Sequence, residues 1–317
     1  MTVLILARDL DPSADAMVTA LRDRGTRVVR VNTAWFPAQL SVSAGLRGGR
    51  WSGYLRTPAH CVELEDVHAV WYRSPEAYQM PAELSEAERH HAFMEAKYGL
   101  GGALSSLDAL WVNHPFRLAE AAYKPLQLIR AAAAGLHVPG TVITNEPERV
   151  REFAAEGKTI TKLLGSNSLS EQGTRKLSWT RLLDAAELAD LRGIEVTTHM
   201  VQRWVPKAFE VRVVAVGEHL TAAAIHAGSA ASYVDWRSDY DALSYELIDP
   251  PPDIVTGVRS LMAAFGLVYG ALDFIVTPSG HWHFLEINAG GQYLWLEAAT
   301  GAPLTDVLAD FLAKGTQ

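Results

Sequence analysis

The sequence predicts a chain of mixed class, with an α/β lobe at its N-terminal end and a longer α+β part built on antiparallel hairpins. Three observations predict it. The chain has 317 residues, more than a single hydrophobic core usually serves, so two or three lobes are expected. The opening segment reads strand, helix, strand, the start of a βαβ unit. From Thr159 onward the apolar residues come in short alternating runs divided by turn residues.

The elements follow in order. Val3 to Ala7 is a short apolar strand. Ser13 to Arg24 has helical spacing, with Met17, Ala20 and Leu21 on one face and Gly25 as its stop. Val28 to Val31 is the second strand. The loop between, Arg8-Asp9-Leu10-Asp11-Pro12, has no glycine, so a dinucleotide fingerprint is absent. Gly45 to Tyr54 is a hairpin or loop, and Ala69 to Tyr72 a third strand followed by Arg73. Glu83 to Leu110 is largely helical, with Gly99, Gly101 and Gly102 read as a turn. Asn113-His114-Pro115 marks a lobe boundary. Leu118 to Ala134 is one alanine-rich helix ending at Gly135. Asn145, with Glu148 three residues on, is placed to cap a helix running through Ala155. Strands are expected at Thr159–Leu164, Thr197–Val205, Phe209–Val216, Leu220–Ile225, Ala271–Val276 and Trp282–Ile287, and helices near Trp179–Leu191 and at Pro252–Phe265.

Composition narrows the function. Lys and Arg number 28 against 36 Asp and Glu, a formal net charge of −8. With no lysine-rich block, neither non-specific nucleic-acid binding nor attachment to anionic membranes is expected. The single cysteine, Cys61, allows no intrachain disulfide and has no partnered base in its local sequence, which suits a cytoplasmic protein. Arg8 and Asp9 interrupt the first apolar run too early for a signal peptide. There is no Gly-x-Ser-x-Gly elbow. His90-His91 reads as a solvated helix pair, and His281 and His283 as strand residues beside harder ligands rather than zinc ligands.

Chemistry concentrates in three segments. Gly270 to Asn288 reads as two strands around a tight turn. If Ser279-Gly280 forms a two-residue turn, Asp273 faces Glu286 across the hairpin, and alternation puts Asn288 on the face of Glu286. Facing carboxylates are destabilising unless a cation lies between them, and hard oxygen donors suit Mg²⁺; a solvent-facing pair of acids on an edge hairpin is the plainer reading. Lys162 stands at the end of Thr159-Ile160-Thr161-Lys162, beside the small polar stretch Ser166 to Ser170. A lysine there can reach phosphates, although the order of a Walker A loop is missing, and a solvated strand-edge lysine is the plainer reading. In Phe209 to Val216, Glu210 and Arg212 share one face opposite Val211 and Val213. Arg212 is thus presented on a rigid strand, either to clamp a transferring phosphate or to pair with a neighbouring acid. Gly217-Glu218 is a two-residue hairpin turn.

The run Leu272-Asp273-Phe274 to Phe284-Leu285-Glu286-Ile287-Asn288 resembles the metal-binding hairpin of the ATP-grasp enzymes. The resemblance implies an ATP-grasp fold with a pre-ATP-grasp α/β lobe (residues 1–113), a central lobe (114–190) and a C-terminal antiparallel-sheet lobe (191–317). It implies ATP and Mg²⁺ as cofactors, with Asp273, Glu286 and Asn288 on the metal. Lys162 would hold phosphates, Lys124 (a solvated helix position on the plainer reading) and Lys207 would contact the nucleotide, and the strand through Gln202, Arg203, Trp204 and Val205 would take the adenine. Arg212, in a Glu-x-Arg where the family usually has Asp-x-Arg, would clamp the phosphate being transferred. Val70-Trp71-Tyr72-Arg73, Asn113-His114-Pro115, Asp235-Trp236-Arg237 and Asn288 to Trp295 are similar to one branch, the graspetide synthetases, maturases that crosslink ribosomal peptides. That branch implies a precursor peptide with leader and core as partner, Asp or Glu side chains activated as acyl phosphates, and ω-ester or ω-amide rings closed by Ser, Thr or Lys. Arg237 would meet phosphate or substrate carboxylate, and Arg73 is a further candidate, with a structural ion pair as its plainer reading. A homodimer is expected. An ATP-grasp ligase acting on other amines, or a non-catalytic ATP- or peptide-binding protein, are the alternatives.

Overall fold

The computed structural model describes residues 1–165, 168–171, 174–177 and 179–315. Its first lobe is a parallel sheet in the order Arg27–Val31, Thr2–Ala7, Val67–Ser74, Leu110–Val112. Thr2–Ala7 has parallel neighbours on both sides and is buried throughout, which explains its unbroken apolar run. The helix Pro12–Asp23 follows, and Asp11 caps it by accepting from the backbone N–H of Ser13 (3.0 Å) and Ala14 (3.1 Å). A three-stranded antiparallel ribbon, Ser41–Arg47, Arg50–Arg56 and Cys61–Glu63, lies against this lobe.

The central lobe is an antiparallel sheet in the order Arg181–Leu182, Thr159–Lys162, His199–Arg203, Thr141–Thr144, so it takes in His199–Arg203, which the boundary expected after residue 190 assigns to the C-terminal lobe. The C-terminal lobe is a five-stranded antiparallel sheet in the order Leu243–Ile248, His219–Ala227, Phe209–Val216, Tyr269–Val276, Trp282–Asn288. Helix Pro252–Phe265 covers one face of it through Val258, Leu261 and Phe265, packed on Val211, Val213, Leu272 and Phe274. The other face changes character along its length. Register pairs Arg212 with Asp273, Val214 with Ala271 and Val216 with Tyr269. Val214, Val216 and Tyr269 join a core with Val3, Ile5 and Leu21 of the first lobe and Leu304 and Leu308 of the last helix. One sheet face is therefore lobe contact at one end and carries the charged residues Glu210, Arg212 and Asp273 at the other.

Several local expectations need correction. The long helix spans Glu86–Ser105 and runs straight through Gly99, Gly101 and Gly102, so these are not a turn; Leu110 belongs instead to the fourth strand of the parallel sheet. The segment expected as one helix is two, Pro115–Ala121 and Lys124–Ala133. The break comes just before Lys124-Pro125, because proline is tolerated only in the first turn of a helix. Helix Pro147–Ala155 is capped at Glu146, not Asn145, again with proline in the first turn. Only Ala185–Ala189 is helical within Trp179–Leu191. In the small polar stretch expected beside Lys162, residues 166 and 167 lie outside the described residues, and Ser168–Glu171 pairs with Thr174–Leu177. No helix among the described residues is long and apolar enough to cross a membrane.

Candidate active site

The hairpin that carries the acids reaches the expected pairing by an unexpected route. Its loop is Pro278-Ser279-Gly280: Thr277 N–H donates to His281 O (2.9 Å), Gly280 N–H donates to Thr277 O (2.9 Å), and Gly280 takes the positive φ of 84° such a loop requires. That loop alone would shift Asp273 off Glu286 by one residue. A bulge after Asp273 restores the difference, since Phe274 pairs with Phe284 but Asp273 pairs with Glu286 and Ala271 with Asn288. Leu285 is the extra residue. Asp273 is buried at 6% exposure, and Glu286 and Asn288 line the cleft between the lobes.

Side chains supply the cations that the facing acids need. Lys124 forms an ion pair with Glu286, and Arg237 Nη1 lies 3.6 Å from the other oxygen of the same carboxylate. Arg212 Nε lies 3.2 Å from Asp273 Oδ1. Lys162 lines the same cleft. The acids thus do not require a metal for their compensation, contrary to the simplest argument from the sequence. The titration shifts follow. Burial opposes ionisation of Glu286, but Lys162, Lys124 and Arg237 outweigh it and hold the carboxyl far below the usual range. Burial raises Asp273, with Glu286 adding to the rise and Arg212 opposing it. Burial lowers Lys162, partly offset by Glu286 and reinforced by Lys124 and Arg237.

Each cation is placed by its own element. Lys124 is the first residue of a helix docked on the strand Trp282–Asn288 by Gln127, whose amide donates to Ile287 O (2.9 Å) and accepts from Ile287 N–H (3.0 Å). Ile287 stands between Glu286 and Asn288, so the dock sets both. Lys162 ends a central-lobe strand paired with Met200. Arg237 is gripped by Asp235, which accepts from Nε at 2.9 Å and Nη2 at 3.0 Å. Asp235 also accepts from the backbone of Arg237 and Thr180, each at 3.1 Å.

A narrower slot adjoins the cleft, lined by Ile160, Gln202, Trp204, Val205, Trp236 and Leu285. Gln202 is fully buried there. Its Nε2 donates to Thr141 Oγ1 (2.9 Å), and its Oε1 has no hydrogen-bond partner among the described residues. A buried acceptor left open at an apolar slot fits a flat ligand that carries a donor. Arg203 contributes backbone rather than side chain: its guanidinium donates to Gly157 O (2.7 Å), pairs with Glu156 and stacks on Phe153. Lys207 is buried in an ion pair with Glu210 and sits 5.5 Å from the Tyr233 ring, which engages both residues with each other.

The donor set fits Mg²⁺ and a nucleotide. Two carboxylates and the Asn288 amide are hard oxygen donors of the kind that suits Mg²⁺, which phosphate and water would complete. The sequence reading missed Asp235, whose place two residues before Arg237 was the available signal; for Arg73 the structural ion pair offered as the plainer reading is what forms. Arg73 points away from the cleft. It is 7% exposed, pairs with Asp11 at 3.3 Å, donates to Gly290 O (3.0 Å), and also donates to Gln292 Oε1. Asn113 grips the same loop, donating to Ala289 O (2.8 Å) and Tyr269 O (2.7 Å). The residues that follow Asn288 are thus held from the first lobe.

The fold recurs among known proteins. Residues 2–118 match the family described as the MvdD pre-ATP grasp domain. No curated protein matches the chain. Among solved structures, the chain is similar to a RiPP-associated ATP-grasp ligase of Chryseobacterium gregarium in complex with ADP and a leader and core peptide. That match has a TM-score of 0.91 and 27% identity and covers 100% of this chain and 97% of that one. It is similar to the macrocyclase MdnC of Microcystis aeruginosa MRC bound with the precursor peptide MdnA, with a TM-score of 0.86 and 30% identity, covering 99% of this chain and 100% of that one. It is also similar to the macrocyclase MdnB of the same organism, with a TM-score of 0.81 and 27% identity over 98% of each chain.

Proposed function

We propose, for a chain that belongs to the ATP-grasp ligases of ribosomal-peptide maturation, that it uses Mg²⁺-ATP to crosslink side chains within a precursor peptide. In the first step an Asp or Glu carboxylate of the peptide attacks the γ-phosphorus of ATP. The bond to the β-phosphate oxygen breaks, giving an acyl phosphate and ADP. In the second, a Ser or Thr hydroxyl or a Lys amine of the same peptide attacks the acyl carbon. Phosphate leaves, the nucleophile gives up its proton, and the peptide has lost one water per ring.

The observation that carries this reading is the convergence of Lys124, Lys162 and Arg237 on Glu286 in one cleft, beside a slot lined by Asp273, with which Arg212 pairs. The cations suit the phosphate chain and the acyl phosphate, where catalysis is positioning and charge neutralisation. Asp273, Glu286 and Asn288 would hold Mg²⁺, which when bound neutralises phosphate charge. Gln202 and the backbone through Val205 would take the base, with Trp204 and Leu285 against its faces. Nothing in the scheme calls for a covalent enzyme nucleophile.

The similar ligases were solved with a leader and core peptide and with the precursor MdnA. By that likeness the partner of this chain is a precursor peptide whose leader binds outside the cleft, letting remote binding energy orient a flexible core. A homodimer in the cytoplasm completes the reading. The test is ADP release with Mg²⁺-ATP and a candidate precursor, followed by the intact mass of the peptide. Loss of water in step with ADP, absent in Glu286→Gln and Asp273→Asn, is expected. Turnover with free amino acids instead of a peptide would move the chain to another ligase activity, and no turnover with any acceptor would refute the reading.

A further inference from the structure

We propose that Trp236 and Trp295 are positioning residues that seat the Arg212 guanidinium by paired cation–π contact from one side and leave its N–H groups free for an anion. The inference rests on the reading of that cleft given above.

Three buried or partly buried arginines stand around this part of the molecule, and two are fixed by hydrogen bonds. Arg73 donates to Gly290 O, Ser13 Oγ and Gln292 Oε1 and pairs with Asp11. Arg237 is held by both oxygens of Asp235. Arg212 differs. Its Nε and Nη1 are buried without a hydrogen-bond partner among the described residues, and Asp273 at 3.2 Å from Nε supplies charge without an aligned acceptor. A guanidinium with open donors in a buried site is costly and has no directional bond to fix its plane.

Aromatic rings take over that task. Arg212 lies 5.7 Å from the Trp236 ring and 5.8 Å from the Trp295 ring, within cation–π range of both. The two rings are 5.1 Å apart at 35°. Each is braced from behind, Trp236 by Tyr240 at 5.6 Å and Trp295 by Tyr245 at 5.5 Å. Trp295 Nε1 also donates to Gln292 O (3.2 Å), which ties the ring to the loop that Arg73 holds. Ring faces orient a planar cation without consuming its donors. Trp236 lies 6.0 Å from Arg237 as well, so its π-system sits near two like charges that otherwise repel.

The test uses the full chain with Trp295→Leu and Trp295→Phe. Trp295 is chosen because it is only half-buried, whereas Trp236 belongs to the core. With Mg²⁺-ATP and a precursor peptide, Trp295→Leu is expected to lower kcat roughly 5–30-fold, the weight of one desolvated cation–π contact. KM for ATP should stay within about twofold, because the seat acts on the transferring group, while Trp295→Phe retains most of the rate. Equal rates for the two variants, or a Leu variant as fast as wild type, would overturn the positioning role. A second readout does not depend on turnover. In protein labelled with ¹⁵N-arginine, the Arg212 Nε–H resonance, assigned by Arg212→Lys, should be shifted upfield by the rings, less so in Trp295→Phe and least in Trp295→Leu. An unshifted resonance in wild type would refute the seat. If wild type turns over no peptide, the proposed reaction fails, and the resonance still decides on the seat.

Discussion

Asp235→Asn isolates the grip on Arg237 with little change of shape. Asp235 is 3% exposed and accepts four hydrogen bonds, two from the Arg237 guanidinium, one from Arg237 N–H and one from Thr180 N–H. At 2.9 Å and an effective dielectric of about 20, the charge pair is worth about 6 kcal/mol before desolvation is subtracted. Asparagine removes that charge and turns one oxygen into an NH₂ group that faces two donors. Breaking one side of such a pair costs about 3–5 kcal/mol. At about 2 °C per kcal/mol for a chain of this size, the unfolding midpoint should fall by about 6–10 °C at neutral pH. The acid limb gives a second check. Burial raises Asp235, but the hydrogen bonds and charge of Arg237 outweigh it, so the folded pKa lies below the usual one. The stabilisation is therefore complete above the unfolded value of about 3.9 and is lost as pH falls through the lower folded value. The gap between wild type and variant should begin to close below about pH 4 and close fully only below the lower folded value. Thermal unfolding at both pH values, with ADP release at neutral pH, makes the measurement. A variant with an unchanged midpoint and unchanged turnover refutes the claim that Asp235 fixes Arg237.

Arg73→Ala leaves Asp11 buried without its cation and frees Gly290 to Gln292. A loss of about 3–5 kcal/mol is expected, read by thermal unfolding, together with a fall in ADP release although Arg73 does not face the cleft. Gly291→Ala places a Cβ 2.7 Å from the Ala271 Cβ and 3.3 Å from the Asn288 Cβ. The overpacking should cost about 1–3 kcal/mol and displace Asn288, so the Mg²⁺ concentration for half-maximal turnover should rise while KM for the peptide holds.

Much of this was readable before the structure, and the exceptions have physical causes. The central strands of the C-terminal sheet announce themselves as apolar runs, because Phe209–Val216 and Tyr269–Val276 are buried almost throughout, and helix Pro252–Phe265 falls where the pattern puts it. Asp273 opposite Glu286 was also legible, but by two departures that cancel, a three-residue loop and a bulge at Leu285, neither of which composition reveals. Where the reading slipped, proline and glycine were the usual cause. Pro125 and Pro147 each start a helix where continuity or a different cap was expected, and the glycines of Glu86–Ser105 are tolerated inside a helix held by Ala96, Leu100 and Leu104. The contacts that orient the site were the least legible. Asp235 with Arg237, Arg73 with Gln292 and Arg212 beside a pair of tryptophans depend on three-dimensional approach, and Arg73 lies 219 residues from Gln292.

The way Glu286 is compensated predicts how metal and nucleotide bind. Lys124 holds one of its oxygens and Arg237 lies 3.6 Å from the other, so the carboxylate that would hold Mg²⁺ is already neutralised by side chains. Mg²⁺ alone would have to displace a lysine and face Arg237 and Lys162 as like charges. A nucleotide alone would meet cations still committed to Glu286 and Asp273. With both present, Lys124 and Arg237 can turn to phosphate as the carboxylates turn to the metal, and every charge keeps a partner. The two affinities should therefore be coupled by about 1–3 kcal/mol, a factor of about 5–150, and linkage makes the factor the same in both directions. Calorimetry of ADP binding with Mg²⁺ and with EDTA, and of Mg²⁺ binding with and without ADP, measures it. Lys124→Met should strengthen Mg²⁺ binding in the absence of nucleotide and shrink the coupling, because Glu286 then has one competitor fewer. ADP binding equally tightly with and without Mg²⁺ would refute the exchange of partners.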